Sequence, residues 1–278
     1  MKRLLTVQDV SCVGRCSLTV ALPIVSAAGV ECAVLPTAVL STHTAFPKFT
    51  FHDLTGEIAP ISKTWKELGL TFDCIYTGYL GSFEQLALVE ELFATHRGEN
   101  TFIAVDPAMA DNGVLYKGFT PAFARAMGSL CGKADLILPN LTEAAFMLGE
   151  EYRETYDEEY VRGLLVRLCG LGCRRAALTG ISLEAGKIGV YAYDSETGAY
   201  FSYFNEKLPV AYHGTGDIYA SAAVGAYTRG LPLNDALALA VDYTLECIRK
   251  TAEDPDRVFY GVNFEQALPL YVERLSHC

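Results

Sequence analysis

The segment Gly214-Thr215-Gly216-Asp217 places an anion-binding backbone beside a carboxylate, where a loop gives way to an apolar run. The run that begins at Ile218 predicts a helix, and a helix N-terminus carries unpaired N–H groups and a partial positive charge. Glycines let the backbone approach an anion closely. The pattern indicates phosphoryl transfer to an alcohol, with Gly214, Thr215 and Gly216 as the anion site and Asp217 as the general base.

A second group of polar residues lies at or just after the carboxyl ends of predicted strands elsewhere in the chain. In doubly wound sheets, ligands bind beyond the carboxyl ends of the parallel strands. Any one of these residues alone is typical of a helix cap or a loop, but together with residues 214–217 they predict one site at one edge of the sheet. They are Asp9, Thr42, His43, Thr44, Tyr79, Asp106, Asn140, Glu143, Thr179 and Gly180.

The elements that must position these residues alternate between short apolar runs and amphipathic segments of helix length. This rhythm predicts an α/β fold, a three-layer α/β/α sandwich with a mostly parallel central sheet. The predicted strands are 4–10, 32–39, 74–77, 102–105, 136–138 and 176–179, with an antiparallel edge hairpin at 187–193 and 199–204. The predicted helices are 17–28, 83–95, 121–130, 143–148, 158–168, 218–228, 233–250 and 264–275.

One segment breaks this rhythm. Residues 41–60 show no clear periodicity, and we expect them to form a lid or substrate loop. The sequence contains no internal repeat, low-complexity tract or linker. Residues 1–278 are therefore expected to form a single kinase domain.

Composition excludes several classes of protein. The net charge of -11 argues against nucleic-acid binding, which needs clustered Lys and Arg. The nine cysteines show no disulfide framework or zinc-site spacing, so reduced thiols are expected. No apolar run approaches the length of a membrane span, and no secretory signal precedes the first strand. The expected location is cytoplasmic, without a membrane partner.

Six segments of the chain, named at the end of this paragraph, resemble segments of the pyridoxal kinases of the ribokinase superfamily in both order and spacing. Gly-Thr-Gly-Asp marks the superfamily, while Ser-x-His-Thr and Thr-Gly-Tyr are typical of the vitamin B6 kinases. The resemblance covers roughly residues 5 to 230 of this sequence. The segments are Val7-Gln8 with Gly14, Ser41 to Thr44, Tyr76 to Ser82, Asp106 to Met109, Pro139 to Glu143, and Gly214 to Asp217.

The resemblance implies a role for each candidate residue. Asp217 would deprotonate the 5′-hydroxymethyl group of pyridoxal, pyridoxine or pyridoxamine, and the preceding Gly214, Thr215 and Gly216 would hold the γ-phosphoryl group of ATP. The remaining roles are Mg²⁺ binding by Asp106 and Glu143, nucleotide binding by Asn140, Thr179, Gly180 and Asp111, and substrate binding by His43, Thr44, Tyr79 and Asp9. The family also implies a homodimer that acts in the salvage of pyridoxal 5′-phosphate, and a requirement for a monovalent cation stays open.

Three residues depart from the family pattern. Asp9 stands where pyridoxal kinases commonly carry a serine at the edge of the pyridine ring, Gly180 replaces a longer polar residue near the nucleotide, and Leu138 replaces a threonine near the metal. Asp9 therefore leaves a second interpretation open, a kinase of the same superfamily acting on hydroxymethylpyrimidine or a sugar. A third is a non-catalytic regulator that binds vitamin B6 or a nucleotide. A dehydrogenase is disfavoured because no Gly-x-Gly-x-x-Gly follows the first strand.

Overall fold

A computed structural model of the protein describes residues 1–210 and 212–277. The strands are β1 (Arg3–Ser11), β2 (Glu31–Leu40), β3 (Phe51–Asp53), β4 (Cys74–Thr77), β5 (Phe102–Val105), β6 (Ala110–Asp111), β7 (Val114–Leu115), β8 (Leu136–Ile137), β9 (Arg175–Ile181), β10 (Lys187–Asp194) and β11 (Ala199–Glu206). The helices are α1 (Leu18–Ala27), α2 (Thr55–Glu67), α3 (Phe83–His96), α4 (Pro121–Cys131), α5 (Leu141–Leu148), α6 (Glu158–Cys169), α7 (Thr215–Arg229), α8 (Leu233–Glu253) and α9 (Phe264–Ser276).

The described residues contain a nine-stranded sheet in the order β11-β10-β9-β8-β5-β4-β1-β2-β3. Its six central strands, from β9 to β2, run parallel. The two outermost strands on one side and β3 on the other run antiparallel to their neighbours. The predicted α/β class and edge hairpin are confirmed, and β4 and β5 have the bounds that the sequence predicts.

Helices cover both faces of the sheet because successive side chains of a strand point to opposite sides. Leu4 faces the core formed with α1, α7, α8 and α9, whereas Leu5 faces the core formed with α2 to α6. The same alternation places Tyr76 in the first core and Ile75 in the second. The result is the predicted three-layer sandwich.

Helix α7 is held rigidly in the first layer. Ten of its residues are buried, most of them small, so that neighbouring helices can approach closely. Gly225 lies against α1, where an added Cβ would be 3.5 Å from the Val25 Cα atom. The Tyr271 hydroxyl of α9 donates to the Ala222 carbonyl at 2.7 Å. This packing fixes the position of the N-terminus of α7, which forms the predicted anion site.

The irregular loop predicted over residues 41–60 is too long. Residues 51–53 form the edge strand β3, and α2 begins at Thr55, so only residues 41–50 and Leu54 lie outside regular elements. The helix shows a weak apolar pattern because only Thr55, Ile58 and Ser62 are buried, and Pro60 lies inside it. The sequence signal for α2 is therefore faint. The sequence analysis also missed the short β6–β7 hairpin.

None of the helices among the described residues combines the length and the apolar character needed to cross a membrane. The cysteines of this part of the chain are all free thiols, as the sequence predicts.

Candidate active site

The N-terminus of α7 forms the centre of the site. Gly214 is its N-cap, with φ 81° and ψ 0°, and no side chain caps the helix. A Cβ at Gly214 would lie 2.2 Å from the Arg15 carbonyl oxygen, so both the positive φ and the close contact require glycine. The first N–H groups of a helix have no partner within it. The backbone at Thr215 and Gly216 can therefore bind an anion.

Asp217 lies in the first turn of α7 and is half-buried. Its Oδ2 atom accepts a hydrogen bond from the Ser17 backbone N–H at 3.0 Å. The pKa of Asp217 is raised to about 6, because burial and the negative charge of Asp9 raise it by more than the hydrogen bond from Ser17 lowers it. A carboxyl with a pKa in this range can accept a proton from an alcohol near neutral pH.

Asp9 lies near the end of β1 and is 5% exposed. It accepts a hydrogen bond from the Ser11 hydroxyl at 3.3 Å. Burial raises the pKa of Asp9, although hydrogen bonds from the side chains of Ser17 and Ser11 lower it. Opposite Asp9, the pairing register of β1 and β2 shifts between Gln8 and Val10. The structure thus brings Asp9 close to Asp217, as the sequence predicts.

Asp106 and Glu143 form a second pair of buried carboxyls, 6% and 3% exposed. Burial raises the pKa of Asp106, and the nearby charges of Glu143 and Asp217 raise it further. Burial also raises the pKa of Glu143 to about 7, against hydrogen bonds from the backbone N–H groups of Asn140, Met109 and Ala110. The three carboxyls of Asp106, Glu143 and Asp217 therefore lie in one electrostatic neighbourhood, where a cation would be stabilised.

The local structure explains how Glu143 is held. Asn140 and Glu143 form a capping box at the start of α5, with each side chain accepting from the other's backbone N–H at 2.9 Å. The second Glu143 oxygen accepts from the Met109 N–H at 3.1 Å. Both oxygens thus have backbone partners, and Glu143 also fixes the loop that follows Asp106.

This donor set fits a phosphate-bound Mg²⁺ better than a metal held by protein alone. The described residues contain no group of three or more His, Cys, Asp or Glu side chains that could hold a metal ion. Mg²⁺ in nucleotide sites uses one or two carboxylates and takes its other ligands from phosphates and water. Asp106 and Glu143 can supply those carboxylates.

The predicted nucleotide-binding residues lie around this second pair. Asn140 and Thr179 form an isolated parallel bridge, and the Asn140 Nδ2 atom donates to the Ala110 carbonyl at 2.8 Å. Gly180 follows with φ 69° and open space around the position of a Cβ. Asp111 is exposed on the β6–β7 hairpin and accepts from its own neighbour, the Asn112 N–H, at 2.9 Å. These residues are brought together, with Asp111 at the rim.

The predicted substrate-binding residues are placed less uniformly. His43 is half-buried, and its ring lies 5.9 Å from the ring of His213, the residue before the anion site. Burial lowers the pKa of His43, and His213 lowers it further. Tyr79 is partly buried, its ring lies 5.4 Å from that of Phe119, and burial and the Asp9 charge raise its pKa. Thr44 is exposed and forms no side-chain hydrogen bond within the described part of the chain.

The sequence analysis missed three residues of the site. Ser17 bonds to Asp217, and Cys16 is buried close enough to Asp217 and Asp9 for their charges to raise its pKa. Tyr116 follows the β6–β7 hairpin, and its pKa is raised by burial and by four carboxyl groups, among them Asp217. None of the three belongs to a spacing pattern of its own, and only contacts across the fold identify them.

A sequence model of the phosphomethylpyrimidine kinase family matches residues 26–259, which is most of the chain. The chain belongs to the phosphomethylpyrimidine kinase family. This kinase family includes both vitamin B6 kinases and thiamine-pathway kinases among the relatives of the chain. The resemblance to pyridoxal kinases is confirmed, and the fold matches theirs.

Two solved structures and one curated protein illustrate this similarity. A Bacteroides thetaiotaomicron protein assigned to phosphomethylpyrimidine kinase, crystallised with pyridoxal, is 38% identical, with a TM-score of 0.92 over 97% of this chain and 95% of that one. Pyridoxal kinase from Lactobacillus plantarum is 31% identical, with a TM-score of 0.90 over 100% of this chain and 99% of that one. The thiamine biosynthesis bifunctional protein ThiED of Geobacter sulfurreducens is 31% identical over 64% of this chain, and the match spans only 35% of that protein.

Proposed function

We propose that this kinase transfers the γ-phosphoryl group of ATP to the 5′-hydroxymethyl group of pyridoxal, pyridoxine or pyridoxamine. The observation that carries the proposal is Asp217, a carboxyl with its pKa raised to about 6 at the uncapped N-terminus of α7. The similar Bacteroides protein that was crystallised with pyridoxal supports a pyridine alcohol as the acceptor. The product would enter the salvage of pyridoxal 5′-phosphate.

We propose the following roles for the residues around Asp217. Asp217 takes the proton of the hydroxymethyl group as its oxygen bonds to the γ-phosphorus, while the bond from that phosphorus to the ADP oxygen breaks. The backbone N–H groups at Gly214, Thr215 and Gly216 stabilise the charge on the transferring phosphoryl group. Ser17 holds one oxygen of Asp217 in place.

The second carboxyl pair would hold the nucleotide's metal. Asp106 and Glu143 would bind Mg²⁺, which neutralises charge on the ATP phosphates when it is bound. Asn140 at the start of α5 and Thr179 on β9 would orient the phosphates, with Gly180 and Asp111 beside them.

The acceptor would lie between β1 and the loop after β2. Asp9, His43 and Tyr79 would line its pocket, and we propose the exposed Thr44 as a further residue that binds the acceptor. We propose residues 41–50 as the lid over this pocket. Following the family resemblance, we also propose a single domain, a homodimer and a cytoplasmic location.

A second acceptor has specific support. The family description names phosphomethylpyrimidine, and a thiamine-biosynthesis protein is among the relatives of the chain. The same residues could phosphorylate hydroxymethylpyrimidine, because this alcohol presents the same primary hydroxyl. In its monophosphate that hydroxyl is already esterified, and a phosphate oxygen would be the acceptor instead. A sugar acceptor and a non-catalytic regulator are the remaining alternatives.

An ADP-release assay distinguishes these possibilities. Purified protein with ATP and Mg²⁺ is given pyridoxal, pyridoxine, pyridoxamine, hydroxymethylpyrimidine, its monophosphate and ribose in parallel. The proposal expects turnover with at least one vitamin B6 alcohol and much less with ribose. Turnover confined to a pyrimidine or to ribose would reject the B6 assignment, and no turnover with any acceptor would favour a regulator.

A further inference from the structure

Asp9 is a buried carboxyl whose hydrogen-bond partners are neutral. It is 5% exposed, and the hydroxyls of Ser11 and Ser17 donate to it. A carboxylate removed from water is stable only where hydrogen bonds and a positive charge replace its hydration. Two hydroxyls supply part of that replacement and no charge.

The protein supplies no cation at this position. Within residues 1–210 and 212–277, no Lys, Arg or His side chain forms an ion pair with Asp9. Arg15 follows β1, but its guanidinium bonds to Asn263 and pairs with Glu265 at 3.3 Å. His43 has a lowered pKa, which favours its neutral form. Without a counter-charge, burial raises the pKa of Asp9 and favours its neutral form, so a positive charge from outside the chain would stabilise the ionised form.

The position of Asp9 indicates where that charge would bind. Its carboxyl is close enough to Asp217 and to Tyr79 to raise the pKa of both. Asp217 lies at the anion site, and the Tyr79 ring lies 5.4 Å from that of Phe119. A ligand bound near Asp217 and Tyr79 would contact the carboxyl groups of Asp9 and Asp217. Only Asp217 is proposed to accept a proton in the reaction.

We infer that Asp9 is a specificity-determining residue that selects acceptor alcohols carrying a protonated nitrogen. The inference rests on the proposed function, because it places the acceptor's hydroxyl at Asp217. A ring nitrogen and an amino group share this chemistry, and either can donate a charge-assisted hydrogen bond to the carboxylate. A neutral acceptor of the same shape leaves Asp9 without its counter-charge.

The test compares cationic and neutral acceptors on matched variants. Binding of pyridoxine, pyridoxamine and a benzene analogue of pyridoxine, with C–H in place of the ring nitrogen, is measured by calorimetry with a non-hydrolysable ATP analogue. The proteins are wild type, Asp9→Asn, Asp9→Ser and the control Asp235→Asn, an exposed carboxyl in the first turn of α8. Thermal unfolding of each variant establishes that it is folded.

The inference predicts that Asp9→Asn weakens pyridoxine binding by about 10- to 100-fold, and the neutral analogue by less than about threefold. Asp9→Ser should behave in the same way, and Asp235→Asn should bind all three compounds like wild type. A larger loss for pyridoxamine than for pyridoxine identifies the amino group as the partner, and equal losses identify the ring nitrogen.

Two results separate the possible failures. If Asp9→Asn weakens binding of the neutral analogue as much as binding of pyridoxine, Asp9 does not discriminate between charged and neutral acceptors. In that case the inference is wrong even where wild type phosphorylates pyridoxine. If wild type releases no ADP with pyridoxine or pyridoxamine, the proposed kinase activity on these alcohols is rejected, whatever the binding data show for Asp9.

Discussion

The Ser17 backbone N–H donates to Asp217 Oδ2 at 3.0 Å and joins the start of α1 to the start of α7. Among the described residues, the Oδ1 atom of Asp217 accepts no hydrogen bond, so one oxygen is fixed and the other is open to a ligand. Ser17 makes this contact with φ 48° and ψ -130°, a backbone conformation that residues other than glycine rarely adopt. The base is thus positioned by a strained backbone.

Replacing Asp217 by Asn should lower kcat by about 10²- to 10⁴-fold, because the amide cannot accept the hydroxyl proton. ATP affinity should change little, since the helix N-terminus is intact. The variant should also melt at a higher temperature at neutral pH, because a buried carboxylate with a raised pKa is destabilising when ionised. Steady-state kinetics measure kcat, and calorimetry measures the ATP affinity and the melting temperature. An unchanged kcat would reject Asp217 as the base.

The activity should depend on pH through the same group. Its pKa is raised to about 6, so Asp217 is increasingly protonated as the pH falls below that value and cannot act as a base. We expect kcat to rise with pH through about 6 and to level off above it. The residual activity of Asp217→Asn should lack this rise. If kcat of the variant still rises with pH through about 6, the group that titrates is Asp106 or Asp9 and not Asp217.

Variants of Ser17 separate its strain from its hydroxyl. Ser17→Gly and Ser17→Ala both lose the bond to Asp9, but only glycine adopts φ 48° without strain. We expect the free energy of unfolding of the glycine variant to exceed that of the alanine variant by about 1 kcal/mol or more. Denaturant titration measures this difference. Equal stabilities would show that the conformation of Ser17 carries no strain.

Gly214→Ala should damage the protein through a steric clash as well as through backbone strain. The new Cβ would lie 2.2 Å from the Arg15 carbonyl and separate α7 from the segment before α1. Gly69→Ala is the matched control, because Gly69 has φ 68° and nothing within 4 Å of the Cβ position. We expect the control to lose about 1 kcal/mol of stability and to keep its activity, and Gly214→Ala to lose more stability and most activity. Similar losses in both variants would contradict a requirement for close packing at Gly214.

Strong local patterns made most of the fold predictable from the sequence. The buried strands β4 and β5 are short apolar runs bounded by polar residues, and α3, α4 and α6 begin after Ser82, Thr120 and Asp157, whose side chains cap them. Helix α2 was not predictable, because its fold context rather than its own apolar pattern stabilises it. The hairpin β6–β7 has only two residues in each strand, too few for a period of two.

The site shows the same division. Asp9 lies near the end of β1, Asp106 follows β5, and Asp217 lies in the first turn of α7, so topology predicts that they converge. Ser17 and Tyr116 contribute through contacts between segments far apart in the chain, and no local spacing encodes those contacts. The role proposed for Asp9 likewise depends on Arg15 pairing with Glu265, which only the folded structure shows.

The most direct test is a crystal structure of the protein with pyridoxal, Mg²⁺ and a non-hydrolysable ATP analogue. The proposal predicts the hydroxymethyl oxygen about 3 Å from an Asp217 carboxyl oxygen, in line with a γ-phosphate seated on the N-terminus of α7. A hydroxymethyl group turned away from Asp217, or a γ-phosphate bound elsewhere, would contradict the proposed mechanism.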